Sequence, residues 1–198
     1  MTAANIAVVL LAAGLSRRMG QDKLLRTLPS GQSLLEDRIR MINSAGVVPF
    51  VAVPDKSTKL EIVDRLSANA IPIETQGMGH SLSTAVNALP EGIDGIMVML
   101  SDLPDVTSVD LGRMIERFDS KTILRASSAK GTPGHPVIFP TRYRPQLEAL
   151  SGDKGAKVLL DTDFVDLFPL PGQNAVRDLD TPEDWDSWVE TGSMTRRR

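Results

Sequence analysis

Four short runs built almost wholly of aliphatic and β-branched residues, IAVVLLAA, VVPFVAVP, AIPIE and GIMVML, punctuate the first hundred residues, each bounded by turn formers. Runs of that length with no polar alternation are strands buried on both faces. Helical patterns fill the gaps between them. Ser33 and Glu36 form a capping box, Leu35, Ile39 and Ile42 recur at helical spacing, and Gly46 ends the segment. A second helix is predicted over about 57–66 and a third over about 81–89, with Leu82, Ala85, Val86 and Leu89 on one face. Leu111, Met114, Ile115 and Phe118 give the stripe of a fourth. Alternation of this kind predicts an α/β fold in three layers, α/β/α, around a mostly parallel mixed sheet with right-handed crossovers. In such sheets ligands lie beyond the carboxyl ends of the strands. The segments GLSRRMGQDK, TQGMGHS and SDLPDV should therefore face one crevice.

Beyond about residue 121 the pattern loosens into short strands and glycine-proline turns, closed by a helix with Thr181 at its N-cap and Pro182 at N1. No repeat or linker composition divides the chain. The expectation is one domain over residues 1–198, with a nucleotide-binding part at about 5–120, an acceptor-binding part at about 121–190 and a disordered basic tail at 191–198. The absence of cysteine excludes a disulfide framework and fits a reducing cytoplasm. The apolar start is too short to span a bilayer. A net charge of -3 with dispersed cations points away from nucleic acid and from membranes.

The stretch LLAAGLSRRMGQDKLL leaves a buried strand and turns into a glycine-marked loop with three cations, Arg17, Arg18 and Lys23. Backbone N–H groups after a strand end can make a concave anion site, and Arg and Lys supply phosphate donors. A nucleoside triphosphate would use all of these, whereas the alternative is a solvated basic loop. There is no Walker A motif and no dinucleotide fingerprint. Asp102, after GIMVML, and Asp180, before a helix start, are candidate hard-oxygen ligands for Mg²⁺. Asp178 reads as a surface acid, Asp105 as a turn residue, and Trp185 and Trp188 as core anchors. Two histidines without metal-ligand spacing make a zinc site a poor reading.

LAAGLSRRMGQDKLL resembles the signature of the MobA-like nucleotidyltransferases, and its LAAG opening is similar to the molybdenum cofactor cytidylyltransferase branch, where the guanylyl branch usually reads LAGG. GMGHSLSTAV, SDLP, GTPGHPVIF, GDKGAK and DLDTPEDW match further family segments in order, from about residue 6 to residue 190. The resemblance implies a Rossmann-like nucleotidyltransferase that moves CMP from CTP to the terminal phosphate of molybdopterin with release of pyrophosphate. It places the nucleotide on Leu11, Ala12, Ala13, Gly14, Leu15, Ser16, Arg18, Lys23, Gly77, Gly79, Ser81 and Asp102, with Ala12 and Ala13 against the base and Gly77 to Ser81 completing the pocket. Catalytic roles fall on Arg18, Lys23 and Asp102, and Mg²⁺ on Asp102 and Asp180. Gly134, His135, Asp153 and Lys154 would meet the acceptor. Arg17 fills a variable position, and Leu103 stands where many relatives carry Gln or Met. A molybdoenzyme or its chaperone is the implied recipient of the product. The alternatives are transfer to another phosphorylated acceptor, such as a sugar phosphate, and a non-catalytic cofactor carrier.

A phosphate monoester has its second pKa near about 6, so it attacks as a dianion without a general base. That chemistry accounts for a candidate site with no paired base and nucleophile.

Overall fold

The computed structural model describes residues 4–14, 21–74, 77–153, 155–161 and 164–195. Strand β1 (Ile6–Leu11) is buried on both sides, and its side chains divide by parity. Ile6, Val8 and Leu10 enter one core, while Ala7 and Val9 enter the other. The first core lies under helices α1 (Leu34–Ser44), α2 (Lys59–Arg65), α4 (Ser108–Arg117) and α7 (Pro182–Thr195). The second lies under α3 (Met78–Asn87) and α5 (Arg144–Glu148), with Leu159 and Leu160 of the short α6 (Lys157–Leu160) packed against it. This gives the three expected layers, a sheet between two sets of helices.

The remaining strands are β2 (Phe50–Pro54), β3 (Asn69–Ile73), β4 (Gly95–Leu100), β5 (Ile123–Ser127), β6 (Pro133–Pro140) and β7 (Val165–Pro169), in the order β3-β2-β1-β4-β6-β5-β7. All pairings are parallel except those of β6, which runs antiparallel to both β4 and β5. That reversal has a functional consequence. The carboxyl ends of β1, β3 and β4 share one edge of the sheet, and β6 begins at that edge. Val137 pairs with Val98, so Gly134 and His135 lie beside the end of β4.

Side-chain caps account for the starts of three helices. In α1 the Ser33 hydroxyl accepts from the Glu36 amide at 3.2 Å, while Glu36 accepts from the Ser33 amide at 2.7 Å. Thr107 and Asp110 make the same reciprocal cap on α4, and Thr181 caps α7, accepting from the Asp184 amide at 3.1 Å. Two boundaries differ from expectation. Helix α3 starts at Met78, three residues early, because Gly77 adopts φ +106° at its N-cap, so Met78 to Ser81 are helical and not loop. Helix α7 runs to Thr195 through the start of the stretch expected to be a disordered tail, with no proline after Pro182 to stop it. Among the described residues no helix is long and apolar enough to cross a membrane.

Candidate active site

Lys23 stands at the centre of the crevice. It opens a single turn of 3-10 helix (Lys23–Leu25) whose N-cap is Asp22, with the Asp22 carboxylate accepting from the Leu24 amide at 3.1 Å. The Lys23 Nζ donates to Asp102 Oδ2 at 2.8 Å and to Asp180 Oδ1 at 2.7 Å. Carboxylates separated by 78 positions in the chain are thereby brought within two hydrogen-bond lengths of each other across one ammonium. Burial opposes the charge on Lys23, but the attraction of Asp102 and Asp180 outweighs it and holds the lysine pKa above its ordinary value. Asp178 joins the cluster electrostatically. Partial burial raises its pKa, and the Asp180 and Asp102 charges raise it further. The exposed acid expected there is thus within the field of the site.

The segment bearing Asp102 is braced from three sides. Arg38, buried on α1, donates to the Leu103 carbonyl at 2.9 Å and to the Val106 carbonyl at 2.8 Å. Asp105 accepts from Trp188 Nε1 at 2.7 Å and pairs with Arg177 at 3.2 Å. The Leu179 amide donates to the Asp102 carbonyl at 3.1 Å, which docks the Asp180 segment onto the Asp102 segment. Ser101 donates to the Leu11 carbonyl at 2.7 Å and fastens β1 to β4 at their ends. Trp185 is buried as expected, with Trp188 packed edge to face against it.

The two alanines do not share a surface. Ala12 belongs to the core with Leu24 and Leu28, whereas Ala13 belongs to the core with Val9 and Ala52. The alternation of the strand carries past Leu11 and turns the methyls to opposite faces. Only Ala13 is on the side of α3, where Gly77, Gly79 and Ser81 lie. Gly14 is exposed, and an added Cβ there would meet open space. Leu15, Ser16, Arg18 and Lys154 lie outside the described residues, as does Arg17.

The start of α3 is committed to its own packing. The Gly79 amide donates to the Gly152 carbonyl at 2.7 Å, and Ser81 donates its hydroxyl to the Gly77 carbonyl at 3.0 Å. A Cβ on Gly77 would stand 2.5 Å from an Asp153 carboxylate oxygen, and one on Gly79 would stand 2.6 Å from the Ser151 carbonyl. Both glycines therefore admit the 151–153 segment, which brings Asp153 to the head of α3. Gly134 has a similar reason. A Cβ there would stand 1.9 Å from the Ala175 carbonyl, which accepts the His135 amide at 2.9 Å. The imidazole of His135 has its Nδ1 buried, with no hydrogen-bond partner among the described residues. Burial and the nearby Arg125 charge lower its pKa against the opposing pull of the Val98 backbone and of Asp102. Burial thus disfavours the charged imidazolium.

Among the described residues Asp102 Oδ1, also buried, meets no hydrogen-bond partner. An orphaned carboxylate oxygen beside a second carboxylate is the donor set of a hard divalent cation that completes its shell with phosphate oxygens. Among the described residues no group of three or more His, Cys, Asp or Glu side chains could hold a metal by itself. Two carboxylates with substrate oxygens therefore fit better than an all-protein cage.

Residues 8–167 match the family model of the MobA-like NTP transferase domain. The chain is 27% identical over 194 residues to a Bacillus subtilis protein named purine catabolism protein PucB, covering 90% of this chain and 93% of that one. It is 27% identical over 191 residues to a probable molybdenum cofactor guanylyltransferase of Synechococcus elongatus, covering 91% and 96%. The crystal structure of Rv0371c from Mycobacterium tuberculosis superposes with a TM-score of 0.81 at 26% identity, over 96% of this chain and all of that one. A structure of the same protein in complex with manganese superposes at 0.78 with 25% identity, over 94% and 98%.

Proposed function

The chain belongs to the MobA-like NTP transferase family, and from that premise we propose that it transfers CMP from CTP to the terminal phosphate of a molybdopterin-type cofactor. The observation that carries the reading is the Lys23 ammonium held between Asp102 and Asp180 at the carboxyl end of β4. The LAAG opening supports cytidine, and the Synechococcus relative supports a molybdopterin acceptor. The nucleotide lies on residues of about 5–120 and the acceptor on residues of about 121–190.

An oxygen of the acceptor phosphate attacks the α-phosphorus of CTP. The new P–O bond forms as the bond from that phosphorus to the bridging oxygen breaks, and pyrophosphate leaves with the electron pair. No proton need move, because the attacking phosphate is already dianionic. Lys23 and Arg18 bind the triphosphate and offset charge that grows on the leaving group. Asp102 and Asp180 would hold Mg²⁺, or manganese as is present with the mycobacterial relative, and the cation would supply Lewis-acid neutralisation of the phosphate oxygens. His135 lies on the acceptor side. In this reading it orients the acceptor by hydrogen bonding.

Ala13 sets the base in this reading, since its methyl occupies space that a purine's second ring would need. The name of the Synechococcus relative favours GTP as a second reading. Pyrophosphate release with CTP and with GTP, using molybdopterin as common acceptor, separates the two. Higher kcat/KM for CTP is expected, narrowed by about 10 to 200-fold or less in Ala13→Gly, the range that one methyl can discriminate. A wild-type preference for GTP refutes the cytidylyl assignment. Turnover only with a phosphorylated sugar refutes the acceptor.

A further inference from the structure

Lys59 is fully buried at the first position of α2, inside the span of about 57–66 where the sequence predicts a helix. Its Nζ donates to the Ala12 carbonyl at 2.8 Å and pairs with Asp22 Oδ2 at 2.8 Å. The position is a costly one for an ammonium. The side chain loses its water and its rotamer freedom, and it faces the positive end of a helix. A buried ion pair is commonly matched in stability by apolar side chains of the same volume. Fold stability alone therefore does not call for a lysine here.

What the ammonium touches does account for it. Ala12 continues β1 at the carboxyl edge of the sheet, its amide donating to the Ala52 carbonyl at 2.9 Å. Asp22 is the N-cap of the turn that presents Lys23, and it divides its two oxygens between tasks. Oδ1 accepts from the Leu24 amide and Oδ2 holds Lys59. A continuous chain of contacts thus runs from the sheet edge through Ala12, Lys59 and Asp22 to the turn, and from Lys23 across to Asp102 and Asp180.

We propose that Lys59 is a positioning residue for the nucleotide, fixing the turn of Lys23 against the end of β1 so that its ammonium is presented to the triphosphate. The inference rests on the nucleotidyl-transfer reading. Without the clasp, the turn samples positions in which Lys23 is misplaced, and apparent affinity falls by the fraction of time it is misaligned.

The test compares Lys59→Met, Asp22→Asn and the double variant Asp22→Leu/Lys59→Met with the wild type. CTP binding in the presence of Mn²⁺ is measured by titration calorimetry, and thermal midpoints are measured alongside. Lys59→Met should bind CTP at least about tenfold more weakly. Asp22→Asn should fall between, because its amide oxygen still caps Leu24. The double variant, with no unpaired buried charge, should regain thermal stability while nucleotide affinity stays low. Affinity that returns to the wild-type value along with stability would reduce Lys59 to a structural role and overturn the proposal, as would unchanged affinity in Lys59→Met. A wild-type protein that binds no nucleotide overturns the nucleotidyl-transfer reading itself, and this inference with it.

Discussion

Replacing Lys23 by alanine tests the centre of the site in two directions at once. In the metal-free protein the ammonium makes two charge-assisted hydrogen bonds, to carboxylates whose side chains are 20% and 29% exposed. Each such bond contributes about 1.5–3 kcal/mol, and removing the cation also leaves two like charges facing each other. Partial solvent access offsets some of this, so a loss of about 2–4 kcal/mol is expected, or about 4–16 °C in the thermal midpoint for a chain of this size. The vacated space suits a divalent cation. Mn²⁺ should then raise the midpoint of Lys23→Ala more than that of the wild type, recovering about 2.7 kcal/mol at a concentration one hundred times its Kd. Turnover should not recover with it, since the triphosphate has lost its donor, a loss of about 100-fold or more in kcat. The assays are thermal melts across a Mn²⁺ series and pyrophosphate release over the same series. A midpoint unchanged by the substitution without metal, or equal stabilisation of both proteins by Mn²⁺, would refute the bridging role. Turnover restored by metal would show that the ammonium serves the carboxylates and not the nucleotide.

Asp102→Asn should abolish the metal-dependent activity, whereas Asp105→Asn should cost about 0–1 kcal/mol of stability and little turnover, because Asn still accepts from Trp188 and only a part-exposed pairing with Arg177 is lost; metal titration of both variants checks this, and equal losses would place the ion elsewhere in the loop. The lowered pKa of His135 has a defined consequence for stability against pH. Its neutral form is favoured in the folded chain, so its contribution is complete above the unfolded value of about 6.5 and is lost as pH falls through the lower folded value. Wild-type midpoints should therefore drop more steeply than those of His135→Gln between about pH 7 and pH 5, and parallel curves would remove burial of the neutral ring from the account.

The layers of the fold were legible because they depend on local signals. Strands buried on both faces must be aliphatic throughout, and the Ser33 and Thr181 caps are short-range chemistry, so both appear in sequence as they appear in space. The second strand of the acceptor side was less legible, since no periodicity tells β6 to enter antiparallel between β4 and β5. The start of α3 was misplaced for a similar reason. Gly77 and Gly79 look like loop glycines until the 151–153 segment is seen packed on them, a contact made across more than seventy positions. Lys59 and Arg38 gave no signal at all. Each lies in a helix whose visible pattern is apolar, and each reaches backbone carbonyls, at Ala12 or at Leu103 and Val106, which carry no sequence identity, while the pairing of Lys59 with Asp22 joins positions 37 apart.

The C-terminal segment 170–180 shows why motif order alone could align the parts of this site without showing how they are held. That segment has little regular structure, yet it is tied to each functional piece in turn. The Ala129 amide donates to Gly172, Asn174 reaches the Asp110 carboxylate that caps α4, and the Ala175 carbonyl takes the His135 amide. Leu179 then bonds the Asp102 carbonyl immediately before Asp180 meets Lys23. A strap made of backbone bonds can tolerate many side chains, except where it passes too close for a Cβ, and Gly134 is that place. His135, the cap of α4 and Asp180 are thus positioned by one piece of chain. Side chains elsewhere, Arg38 from α1 and Lys59 from α2, brace the opposite wall at the ends of β4 and β1. Between these supports Lys23, Asp102 and Asp180 meet, the groups to which the proposed transfer assigns the chemistry.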